Sequence, residues 1–73
     1  MEKKVTITTE TITLGQLLKL VQAVGTGGAV KRFLQTNEVL VNGEKETRRG
    51  RKLKNGDKVE VKGLGTFIVT RAE

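Results

Sequence analysis

Asn42-Gly43, directly after the apolar run Val39-Leu40-Val41, constrains this chain more than any other feature. Both residues tolerate positive φ, so the pair specifies a two-residue hairpin turn, and a turn of fixed length sets the register of the strands on either side. The spacing predicts a strand at Val39–Val41 and a short return at Glu44–Thr47. Asn55-Gly56 marks a second turn, and the alternation in "DKVEVK" places Val59 and Val61 on one strand face with charges on the other. Gly63 and Gly65 bracket Leu64 before a last strand, "TFIVT" at Thr66–Thr70.

Upstream the period changes. "VTITT" at residues 5–9 is β-branched and alternating, which predicts a strand with Val5 and Ile7 on one face. From Thr13, a plausible N-cap, Leu14, Leu17, Leu18, Val21 and Val24 fall on one helical stripe that Leu20 would widen. Gly25 suits the C′ position of that helix. Gly27-Gly28 opens a second helix to about Thr36, with Val30, Phe33 and Leu34 as its apolar face and Asn37 as its stop. The order β-αα-ββββ predicts an α+β domain, a two-helix hairpin packed on a small antiparallel β-sheet. Residues 1–73 read as one domain, without repeat or linker.

The charge is concentrated. Lys+Arg number 14 and Asp+Glu 8, giving +6 and pI ≈ 10.1. "KETRRGRKLK" at residues 45–54 holds +5 of that, leaving +1 on the other 63 residues. A clustered basic patch is the electrostatic footprint of a nucleic-acid binder; a solvated loop is the alternative.

Other chemistries find little support. Cysteine and histidine are absent, and so is serine, which removes disulfides, thiolate or imidazole metal ligands and the commonest general base. The carboxylates are spread along turns, strand faces and termini. No catalytic residues, metal site or cofactor are expected, and no small-molecule substrate. Apolar runs never exceed three residues, which argues against a membrane span or a signal-peptide core and for a soluble cytoplasmic protein. "GTGGAVK" at Gly25–Lys31 lacks the Gly-Lys-Ser/Thr of a phosphate loop. Gly27 and Gly28 leave the second helix's N-terminus open to an anion that Lys31 could reach; a C-cap and flexible connector is the alternative. Phe33 and Phe67 both sit at apolar positions, so no aromatic platform for single-stranded bases is expected. Backbone recognition of a folded RNA or a duplex remains.

A leucine-rich helix, a short turn, a second helix and then "VLVNGEKETRRGRKLKNGDKVEV" resembles the S4 domain, an RNA-binding module, over about residues 12–62. "ETRRGRKL" at Glu46–Leu53 is similar to the small stand-alone S4 proteins of the YaaA/YbcJ type in bacteria. The chain departs from many S4 domains in having Thr13-Leu14-Gly15 where they have Arg-Leu-Asp, and Thr26-Gly27 where they have Ser-Arg. The resemblance implies an S4-like (alpha-L) fold whose flanking strands, 5–9 and 66–70, pair to close the sheet. It implies a non-catalytic protein that binds structured RNA, ribosomal or tRNA-like, with the ribosome as a possible partner and the chain a monomer. The binding residues it implies are Lys31, Asn42, Gly43, Arg48, Arg49 and Arg51; the open helix terminus adds Gly27 and Gly28, and the family arginines missing here shift more of the binding to Arg32, Lys52 and Lys54. An adaptor with an acidic protein partner, or a DNA-binding protein of replication or repair, would share the same charge.

Overall fold

Alternating apolar residues need a partner layer, and here two short helices provide it. The computed structural model describes residues 2–72. In chain order the elements are β1 (Glu2–Ile7), β2 (Thr11–Thr13), α1 (Leu14–Leu20), α2 (Gly27–Thr36), β3 (Val39–Val41), β4 (Glu44–Lys45), β5 (Lys52–Lys54), β6 (Lys58–Val61) and β7 (Gly65–Arg71). Five strands form one sheet, β1-β7-β6-β3-β4, while β2 and β5 pair separately. The α+β class and the helix pair are as the pattern predicts, but the sheet is mixed. β1 does pair with the last strand, in parallel, with Val5 opposite Val69 and Ile7 opposite Arg71. The remaining pairs of the sheet are antiparallel.

Val39, Val41, Val59, Val61, Phe67 and Val69 are buried on one face of the sheet, and Leu14, Leu17, Leu18, Val30 and Leu34 of the helices share their cluster. Fully burying each such side chain contributes about 1.5–3 kcal/mol, the main favourable term available to so small a chain. Phe67 is buried and Phe33 is packed half-buried against the core, as their positions indicate. No helix among the described residues is long and apolar enough to cross a membrane.

The first helix stops sooner than its stripe suggests. Thr13 is its N-cap, in a reciprocal box: the Gln16 N–H donates to Thr13 Oγ1 at 3.2 Å and the Thr13 N–H to Gln16 Oε1 at 3.1 Å. At the other end the Gln22 N–H donates to the Lys19 carbonyl and the Ala23 N–H to the Leu18 carbonyl, closing a Schellman motif. Gln22 takes the left-handed C′ position at φ 61°, and Gly25 lies in the connector. Leu20, past the buried stripe, is 59% exposed, and Val24 is buried from outside the helix. A side chain in that conformation costs about 1–2 kcal/mol, and glycine's extra unfolded freedom takes back about half of the relief. Gln22→Gly should therefore raise the unfolding free energy by about 0.5–1 kcal/mol in urea titration.

The hairpin return is also shorter than predicted, ending at Lys45. Glu46 turns inward instead, its N–H donating to the Val39 carbonyl at 2.9 Å. Lys52 and Lys54 belong to a strand, not a loop. They flank the fully buried Leu53, which lies opposite Ile12 in the β2–β5 pair.

Candidate nucleic-acid interface

The first N–H groups of any helix lack intrahelical partners. In α1 the basic segment supplies two of them. The Leu14 N–H donates to the Arg51 carbonyl at 2.8 Å and the Gly15 N–H to the Arg49 carbonyl at 2.9 Å. The chain between Glu46 and Arg51 is thereby held across the start of the helix.

Gly15 leaves room for this close approach. A Cβ there would lie 3.3 Å from Val30 Cγ1 and 3.4 Å from the Arg49 carbonyl oxygen, tighter than a relaxed contact. Helix α1, helix α2 and the basic segment meet at this residue. Around it runs an open groove of about 260 Å³, lined by Gly15, Lys19, Gly27, Val30, Arg49 and Gly50 among others, with no acidic residue among them. Lys19 follows Gly15 by four residues and so occupies the same helix face. Lys31 follows Gly27 in the same way on α2. Gly28 and Arg32 lie one position further round that helix, all exposed. Thr26 caps α2 without a side-chain hydrogen bond.

The second organising group is Glu46, buried although it carries a charge. Its Oε2 accepts from the Thr47 N–H at 3.1 Å, the Arg48 N–H at 3.0 Å and Arg48 Nε at 3.1 Å. Its Oε1 accepts from Arg51 Nη1 at 3.0 Å and Arg48 Nη2 at 3.3 Å. Five donors on one carboxylate explain why a buried acid is tolerated. The hydrogen bonds from the Arg48 side chain and backbone, with Arg51 adding to them, outweigh burial and lower the Glu46 pKa from its ordinary 4.5 to about 2. In return, the carboxylate raises the Arg48 pKa.

The predicted site residues therefore divide. Gly27 and Arg49 line the groove, and Lys31 stands one turn along from Gly27. Lys52, opposite the N-cap Thr13, is exposed beside it. Lys54 is exposed at the far end of β5. Arg48 and Arg51 are tied to Glu46. Asn42 and Gly43 form the hairpin tip, at φ 52° and 86°, outside the groove lining. The Asn42 amide is spent inside the fold, donating to Asp57 Oδ1 at 3.2 Å and accepting from the Lys58 N–H at 2.9 Å. Lys19 and Gly15 escaped the sequence reading. Their spacing of four was the available signal, masked because Gly15 reads only as an acid missing from the S4 pattern.

Two comparisons bear on this geometry. A family model described as "S4 domain" matches residues 5–70. The chain is also 54% identical over 69 residues to the "Probable ribosome maturation protein RlbA" of Bacillus subtilis (strain 168). That alignment covers 94% of this chain and 97% of the relative, so the likeness is to a small stand-alone protein and not to one domain of a larger enzyme. With the helix pair, the hairpin and all of the sheet but the outer ends of β1 and β7 inside the matched span, the chain belongs to the S4 domain family.

Proposed function

We propose that this protein binds structured RNA of the ribosome, during its maturation, and acts by binding without catalysing a reaction. One observation carries the reading: the Arg49 and Arg51 carbonyls cap α1 and so place Arg49, Lys19 and the Gly27 end of α2 around a single groove free of acid. Cations fixed around a concave surface suit phosphate oxygens held in the shape of a folded RNA. Both phenylalanines are committed to the core side, which favours this mode over base stacking. The name of the Bacillus subtilis relative, a probable ribosome maturation protein, supports the ribosome as the setting.

In-cell crosslinking followed by sequencing of the bound nucleic acid tests the proposal. Enrichment of ribosomal RNA positions, lost from pulldowns after RNase digestion, is the expected result. Protein partners that survive RNase, with no enriched RNA, would contradict it and favour an adaptor.

A further inference from the structure

We propose that Arg49 is the arginine of the 46–51 segment that contacts RNA, and that Glu46 is the positioning residue that holds it over the groove. The inference rests on the RNA-binding reading above and divides the labour among three arginines that sequence treats alike.

Arg48 and Arg51 share one carboxylate. Arg48 approaches Glu46 through both Nε and Nη2, and Arg51 through Nη1. The three groups together carry a single net positive charge. Releasing either guanidinium to a phosphate would strip charged donors from a buried carboxylate, which is costly. Arg49 differs on both counts. Its side chain is exposed and, among the described residues, has no carboxylate within 4.0 Å. Its backbone is fixed, because its carbonyl accepts from the Gly15 N–H at 2.9 Å and its Cβ stands 3.5 Å from where a Cβ on Gly15 would lie. A free cation on an immobilised root loses little backbone freedom on binding.

Glu46 creates that root without touching the groove. It accepts the Thr47 and Arg48 backbone N–H groups and the Arg51 side chain, so it fixes the segment on both sides of Arg49. Charge and position then make opposite predictions for one substitution. Glu46→Gln raises the net charge from +6 to +7, which on electrostatics alone would tighten binding to a polyanion. If Glu46 positions Arg49, binding weakens instead.

The test uses the full-length protein with refolded ribosomal RNA as probe, together with amide hydrogen exchange of the free protein. Arg49→Ala should weaken binding by about tenfold, the scale of one charge-assisted hydrogen bond, with melting unchanged. It should also flatten the log–log salt slope by about 0.7–0.9. Arg48→Ala should weaken binding much less. Glu46→Gln should weaken binding and speed exchange at the Leu14 and Gly15 amides, while Val59 and Val69 in the sheet stay protected. Protection in the sheet separates a freed segment from an unfolded protein. Equal losses for Arg48→Ala and Arg49→Ala, or tighter binding by Glu46→Gln, would overturn the proposal. Unchanged exchange at Gly15 would overturn the role given to Glu46. If the wild-type protein does not bind the RNA, the functional reading fails and the Arg49 assignment with it, and exchange alone then decides whether Glu46 holds the segment.

Discussion

Replacing Glu46 with alanine is expected to lower the unfolding free energy at neutral pH by about 2–3 kcal/mol. A carboxyl held near 2 in the folded protein, against its ordinary 4.5, favours folding by about 1.4 kcal/mol for each unit of difference. Solvent around Arg48, whose side chain is 76% exposed, screens part of this. A 73-residue domain has roughly 4–11 kcal/mol of stability in total, so the loss is a large share. The pH dependence has a definite sign. The folded pKa lies below the unfolded one, so the contribution is complete above about 4.5 and is lost as the pH falls toward about 2. Urea titrations of both proteins at pH 7 and pH 2.5 should show a wide gap that narrows in acid. A gap of equal size at both pH values would mean that the ionised carboxylate is not what stabilises the fold.

Gly15→Leu should have an effect of similar size for a steric reason. A lone Cβ already needs neighbours to move by a few tenths of an ångström, and helix propensity roughly offsets that cost, so Gly15→Ala should be close to neutral. Leucine adds three further carbons where α1, Val30 and the Arg49 backbone converge. Overpacking costs about 1–3 kcal/mol, and losing the two hydrogen bonds from Leu14 and Gly15 to the segment adds about 1 kcal/mol each. Some relaxation will be shared between these, leaving an expected loss of about 3 kcal/mol. Affinity for RNA should fall with it. Denaturation midpoints for the alanine and leucine variants check the contrast. Wild-type stability in the leucine variant would show that the segment does not rest on α1.

The parts of this fold that were legible in the sequence rest on local chemistry. Asn42-Gly43 demands positive φ at both positions and has it. Thr13 caps α1, and Leu14, Leu17 and Leu18 are buried because a helical stripe must face a core. What escaped depends on distant partners. The β2–β5 pair joins three-residue strands with one buried residue each, Ile12 and Leu53, too short for alternation to register. The parallel pairing of β1 depends on where β7 lies, which no local pattern encodes. Gln22 ends α1 in a position where glycine is the usual signal, so the sequence points to Gly25 as the stop instead. In the candidate site, the density of positive charge was plain but its distribution was not. Glu46 reads as one solvated or ion-paired acid in a basic run, no different from Glu44 or Glu60; only the fold shows it buried, with two arginines gathered onto it. The same folding moves attention to Lys19, which lies outside the run but on the groove.

The salt dependence of RNA binding tests the central claim most directly. Four phosphate contacts, from Arg49, Lys19, Lys31 and Lys52, give a log–log slope of about −2.8 to −3.6. Between 50 and 200 mM salt this is roughly a 50- to 150-fold loss of affinity for refolded ribosomal RNA, with duplex DNA of equal length bound more weakly throughout. A slope near −1, or equal affinity for the RNA and the duplex, would contradict the account.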